Sequence, residues 1–194
     1  FVPGPGGRDI DGILDGAGRG EIEVVYLLGA DEIDMARLGG AFVVYQGHHG
    51  DAGAERADVV LPGAAYTEKN ATYVNTEGRV QQARLAVSPP GDAREDWTVL
   101  RALSEALARR LPYDDLAQLR RRLVEVNGRF GRLDAIQPAR WEPFGADGPV
   151  AAKPFRFPIE NFYMTDPISR ASETMASCTE AYRRGRPSKT GTHD

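Results

Sequence analysis

The hydrophobic positions near the start of the chain fall in short blocks. "EVVYLLGAD" reads as a strand ending at Gly29, "AFVVYQG" as a second and "DVVLPG" as a third closed by proline. Continuous apolar runs of this kind suit strands buried in a parallel layer. Between the first two, "EIDMARLGG" carries Ile33, Ala36 and Leu38 on one helical face, with Asp31 placed to cap it and Gly39-Gly40 to stop it. Between the second and third, "DAGAERA" has the length for about two helical turns. The pattern predicts a βαβαβ run with short connections.

Beyond it the period changes. "ATYVNTEGRVQQA" predicts a hairpin turning at Asn75-Thr76-Glu77-Gly78, with Gly78 supplying positive φ. "SPPGDARED" is a rigid connector. A helix is expected from Ala93 to Arg110 with Trp97, Leu100, Leu103 and Leu107 as its apolar stripe, then, past Pro112, a second from Asp114 to Asn127 with Leu116, Leu119, Leu123 and Val126. Arg120, Arg121 and Arg122 read as its solvated side. These two helices are expected to cover the sheet.

Past Gly128 proline recurs at 138, 143, 149, 154 and 158 with little apolar periodicity, which predicts an irregular arm. "ENFYMTDPISRASETMASCTEAY" restores a pattern, with Ser169 as the expected cap of a helix, and "RRGRPSKTGTHD" is expected to be disordered. The division is thus an α/β lobe with a helical end over 1–127, a Pro-rich arm over 128–160, and a docking segment with its tail over 161–194. An arm of this kind buries little of itself. Trp141, Phe144, Phe155 and Phe157, with Phe162, Tyr163 and Met164, therefore form a candidate interface, facing either this subunit's own α/β layer or, as the favoured expectation, a neighbouring subunit.

Composition narrows the chemistry. Of 24 basic residues only Lys69, Lys153 and Lys189 are lysines, and a formal net charge of −4 gives no reason to expect nucleic acid. The one cysteine, Cys178, excludes an internal disulfide and any iron–sulfur cluster or Cys-rich zinc site built from this chain alone. The apolar runs fall far short of the roughly 20 residues of a membrane-spanning helix. The opening "FVPGPGGRD" lacks the features of a signal peptide, and a start at Phe1 suggests a piece of a longer protein.

The loop "QGHHGDAG" raises three readings: a metal site, a phosphate cradle or a tight turn. Adjacent residues in extended chain point opposite ways, so His48 and His49 make a poor chelating pair. Strand, glycine-rich turn and helix start, with Gly47, Gly50 and Gly53, would present amides to an anion. Asp51, however, stands where the anion would sit and can satisfy those amides itself, which favours a turn retained from a nucleotide-binding ancestor. Glu68, Lys69, Asn75, Glu77 and Arg79 resemble an acid–base cluster but read as an exposed, ion-paired hairpin. No nucleophile elbow or Ser–His–Asp set can be assembled.

"VVYQGHHGDAGAERADVVLPGAAYTEKNATYVNTEGRVQQ", with "PPGDAREDWTVLRALSEAL" and "NFYMTDPISRASETMASC", closely resembles the C-terminal part of the large iron–sulfur subunit of respiratory complex I. That subunit is the 75 kDa subunit of the mitochondrial enzyme and has its counterpart in bacterial NADH:quinone oxidoreductase. Its C-terminal region is similar to molybdopterin-dependent oxidoreductases such as formate dehydrogenase. The resemblance implies an α/β fold with a short parallel sheet flanked by helices, in which Gly47, Gly50, Asp51 and Gly53 are a relic of a pterin-dinucleotide loop. It also implies 2Fe-2S and 4Fe-4S clusters in the N-terminal part of the full subunit and none in this chain. The implied role is a structural lobe supporting electron transfer from NADH to ubiquinone. Its partners would be other peripheral-arm subunits, on the cytoplasmic face of a bacterial inner membrane or the matrix side in mitochondria, without membrane insertion. A working molybdopterin enzyme and a stand-alone interaction module are the alternative readings.

Overall fold

The computed structural model describes residues 6–138, 147–150, 152–154, 159 and 161–185. Helix α1 (Ile10–Gly18) leads into strand β1 (Val24–Leu28), a 3-10 turn (Met35–Leu38), β2 (Phe42–Gly47), the short helix α2 (Ala52–Arg56) and β3 (Val59–Pro62). The three strands form one parallel sheet in sequential order, with Val24 beside Phe42 and Val44 beside Val59. The three parallel strands of the βαβαβ reading are present with a helix between the second and third, and α1 is added ahead of them. Asp9 caps α1 by accepting from the Gly12 amide at 2.8 Å. The connection after β1 is only a 3-10 turn, and its cap is Asp34, which accepts from the Ala36 amide, not the expected Asp31.

Right-handed crossovers between sequential parallel strands place every connection on the same side of the sheet. Here Leu14 and Ala17 of α1, Leu38 and the partly buried Ala54 pack against Val25, Leu27, Val43 and Tyr45 to form the core. The opposite face is a row of apolar side chains left largely uncovered: Val24 is 60% exposed, Leu28 51%, Phe42 47% and Val59 40%.

The following segment builds a second unit. Strands β4 (Ala71–Val74) and β5 (Val80–Ala83) form the expected antiparallel hairpin, with Gly78 at φ +81° and the Asn75 carboxamide accepting from the Glu77 and Arg79 amides. Helices α3 (Asp96–Ala106) and α4 (Leu116–Val126) follow, shorter at both ends than predicted. Their stripes are also less buried than the spacing suggests. Leu107 and Val126 are exposed, and the buried residues of α3 are Arg101 and Ser104. Arg101 donates to the Tyr113 carbonyl and the Asp114 carboxylate, and the Ser104 hydroxyl accepts from the Leu111 amide. Both thereby fix the turn at Pro112. The expectation that these helices cover the sheet is corrected: Asp96, in the first turn of α3, meets the sheet at Gln46, at the C-terminal end of the open face, and the rest of that face stays largely exposed.

After a 3-10 turn at Gly128–Gly131, the chain returns in α5 (Pro167–Ala171) and α6 (Glu173–Gly185). Asp166, not Ser169, caps α5. Its carboxylate accepts from the Ile168 and Ser169 amides and from the Ser169 hydroxyl, and Pro167 opens the helix where no amide is needed. Trp141, Phe144, Phe155, Phe157 and residues 186–194 lie outside the described residues, whereas residues 183–185, expected to belong to a disordered tail, close α6.

The two faces of the sheet should differ in their response to truncation. In urea titrations of the 194-residue chain, Leu38→Ala should cost about 2–5 kcal/mol of unfolding free energy. Phe42→Ala should cost less than about 1 kcal/mol. Equal losses would show that the Phe42 face is packed.

Candidate functional site

Tyr45 organises the glycine-rich loop. Its ring lies in the core at 2% exposure, and its hydroxyl donates to Asp31 at 2.8 Å with the His49 carbonyl 3.2 Å away. Burial, reinforced by the Asp31 carboxylate, raises its pKa well above the ordinary tyrosine range. The glycines follow from this ring. A Cβ on Gly47 would lie 2.3 Å from the Tyr45 hydroxyl oxygen, and one on Gly53 would lie 2.8 Å from the ring and from an Asp31 oxygen. A Cβ on Gly50 would meet nothing within 4 Å. Two of the loop's glycines therefore make room for a side chain of the protein itself.

The amides at the start of α2 are also taken. Asp51 accepts from the Ala52 amide at 2.8 Å, as its expected capping role requires, and Asp31 accepts from the Gly53 amide at 3.0 Å. Two carboxylates at one helix start call for a cation, and Arg170 supplies it from α5. Its Nε donates to Asp51, its Nη1 lies 3.5 Å from Glu32, and that same nitrogen donates to the Met164 carbonyl at 3.3 Å. Burial works against the ionised form of Asp51, but Arg170 and the Ala52 amide outweigh it and hold the carboxyl below its ordinary value. Through Arg170 the closing segment docks on its own lobe.

A pterin dinucleotide would need its phosphates at these amides. The described residues do not fit that group. The Ala52 and Gly53 amides are satisfied, and an arriving phosphate would meet the Asp31 and Asp51 carboxylates.

The histidines depart from the sequence argument. The chain bends at His48 and His49 instead of running extended, and their Nδ1 atoms come within 2.7 Å, so one ring must donate to the other. Among the described residues no group of three or more His, Cys, Asp or Glu side chains converges on a metal position.

A second polar network lies at the ends of β1 and β2. Gln46, fully buried, accepts from the Tyr26 hydroxyl and donates to Asp96 at 2.9 Å, and Asp96 pairs with Lys69. Glu95 accepts from the Asn70 amide at 2.9 Å and from the Trp97 indole at 2.7 Å. Glu68 caps the Ala65 amide. The supposed hairpin cluster is therefore two things. Asn75, Glu77 and Arg79 shape the turn, whereas Glu68 caps the local 3-10 turn and Lys69 pairs with Asp96 at the start of α3. Each of these buried polar groups has a partner, as a structural network requires.

A profile of the molybdopterin oxidoreductase family matches residues 7–106, more than half of the chain. The chain belongs to the molybdopterin oxidoreductase family. A profile of the NADH-ubiquinone oxidoreductase G C-terminal family matches residues 135–178. The chain is 54% identical over 172 residues to the mitochondrial NADH-ubiquinone oxidoreductase 78 kDa subunit of Neurospora crassa, covering 84% of this chain and 23% of that protein. It is 47% identical over 169 residues to the NADH-ubiquinone oxidoreductase 75 kDa subunit of Reclinomonas americana, covering 84% of this chain and 24% of that one. It thus spans about a quarter of the length of these curated relatives. Among solved structures, acetylene hydratase from Pelobacter acetylenicus superposes with a TM-score of 0.48 at 19% identity, covering 56% of this chain and 17% of that one. The α/β fold with a short parallel sheet, a hairpin and helices is the one the sequence implied. Among the described residues no helix is long and apolar enough to cross a membrane.

Two measurements check this account of the loop. Gly53→Ala should destabilise the chain by about 1–3 kcal/mol, because Tyr45 and Asp31 must move. Gly50→Ala should stay within about 0.5 kcal/mol. Equal effects would contradict the role given to Tyr45. The Asp51 carboxyl is depressed in the folded state, so its contribution is complete above the ordinary value of 3.8 and is lost as pH falls through the folded value. The stability difference between the natural chain and Asp51→Asn should therefore be constant near neutrality and shrink below pH 3.8. A difference that grew on acidification would reverse the assignment.

Proposed function

We propose that this chain is the C-terminal lobe of the iron–sulfur subunit of an NADH:ubiquinone oxidoreductase, a structural part of the peripheral arm that holds no redox centre. The observation that carries this reading is the filled loop. Tyr45 occupies the space its glycines leave, Asp31 and Asp51 hold the Gly53 and Ala52 amides, and Arg170 pairs with Asp51. The identity to the 78 and 75 kDa subunits supports the assignment to that subunit. The 2Fe-2S and 4Fe-4S clusters would then lie in the preceding polypeptide, beyond the reach of a chain with one cysteine. Gly47, Gly50, Asp51 and Gly53 form a relic of a cofactor loop. The lobe meets other peripheral-arm subunits on the cytoplasmic or matrix side of the membrane, and the exposed Phe162 and Tyr163 with the half-buried Met164 belong to that interface.

In the assembled enzyme, His48→Ala should leave NADH:ubiquinone turnover within about twofold of the natural protein, because such a change at a site remote from electron transfer costs little barrier height. The electron paramagnetic resonance signals of the clusters should be unchanged. Loss of turnover with normal assembly would overturn the reading. The match to the molybdopterin oxidoreductase family favours, as a second reading, a working molybdopterin enzyme. Stoichiometric molybdenum in the purified full-length protein would establish that reading instead.

A further inference from the structure

A groove of about 780 Å³ runs between α4 and the hairpin. Its walls include Leu116 and Leu123 of α4, Val124 beside them, and Phe130 and Leu133 from the segment that follows. Val124 and Leu133 are exposed, so water covers apolar surface of the kind that marks an interaction site. Leu133 is held in place by a bridge to Val80, and the Asp134 amide donates to the Val80 carbonyl at 2.8 Å. These contacts tie the far wall to β5.

Arg120 lines this groove and the polar cleft beside it. It was expected on the solvated side of α4 with Arg121 and Arg122. Arg122 and its neighbour Arg121 carry their charge toward water, but Arg120 is half-buried, and its Nε is buried with no hydrogen-bond partner. A buried donor without an acceptor is costly, and a guanidinium edge is matched by a carboxylate that takes Nε and Nη together. The surroundings favour a negative group as well. Arg121 lines the groove, and Arg84 with one carboxylate, Asp134, lines the adjoining cleft, while the groove's own acidic residue, Glu125, is already paired with Arg122 at 2.9 Å. In a chain of net charge −4, this is a locally basic, apolar-floored surface.

We infer that the groove between α4 and the hairpin receives an acidic amphipathic helix of a partner protein. Apolar side chains one helical turn apart lie along Leu116, Leu123, Val124 and Leu133, and a carboxylate closes on Arg120. An anionic lipid would present a phosphate to several exposed cations. The single inward-facing Nε between an α-helix and a strand favours one carboxylate carried at a fixed place on a protein. This docking role stands independently of the reading of the glycine-rich loop.

The test uses the full-length subunit expressed in its own host, with the photo-crosslinking residue p-benzoylphenylalanine at position 124. Irradiation should join it to one peptide of another protein, in which Asp or Glu is flanked by apolar residues at helical spacing. Arg120→Glu should lower the yield about tenfold or more, as loss of a desolvated charge pair does. Changing the partner's carboxylate to Arg should restore the yield in the Arg120→Glu background. If Arg120→Glu does not accumulate as folded protein, Arg120→Gln replaces it, with loss of cross-linked product again expected. Cross-linking only within this subunit, to a second copy of it or to lipid would overturn the inference. So would the absence of any product, a peptide without a carboxylate, or a yield indifferent to Arg120.

Discussion

The hydrogen bond from the Tyr45 hydroxyl to Asp31 governs the arrangement at the C-terminal end of the sheet. With one oxygen Asp31 accepts from Tyr45, and with the other from the Gly53 amide, so a single carboxylate joins the end of β1, the middle of β2 and the start of α2. The ring's position then excludes any side chain at Gly47 and Gly53. What looks like a cavity for a phosphate in the sequence is a cavity for a phenol in the fold. Arg170 is placed by the same charges, since Asp51 with Glu32 offers the closing segment a strong electrostatic anchor on this lobe.

The strands are legible in the sequence because their apolar runs are short, β-branched and bounded by glycine or proline. The hairpin is legible because Asn75 and Gly78 leave few other turns. Helix α1 is harder to see, since its three glycines weaken the pattern and its burial falls on Leu14, Gly16 and Ala17. Capping is legible only in part. Asp51 behaves as expected, whereas Asp31 is drawn away by Tyr45 and Gly53, and Asp34 takes its place. The Asp166-Pro167 pair is a readable helix start, and it, not Ser169, is the signal that the sequence carries there. Arg170 gives no local signal at all. Its partner lies 119 residues earlier in the chain, and periodicity says nothing about contacts at that range.

The two faces of the sheet show how topology outranks composition. Both carry Val, Leu and aromatic residues, yet only one is covered, because sequential right-handed crossovers put α2 and the 3-10 turn on a single side. Helix α3 is instead tied to the start of the hairpin through Glu95 and to the turn before α4 through Arg101, and it touches the sheet through Asp96 at Gln46.

The distance in sequence between Asp51 and Arg170 also orders events in time. Closing a loop of that length costs more entropy than closing the strand pairings, which join residues about 15 to 20 positions apart. The core around Val43 and Tyr45 can form as soon as β1, β2 and their helices exist, while the guanidinium arrives only after residue 170 has been made. Until then Asp51 and Glu32 lack the cation they share in the folded lobe. The glycine-rich loop therefore gains its cation only once α5 exists, and the contact that supplies it is a record that the chain has been synthesised that far.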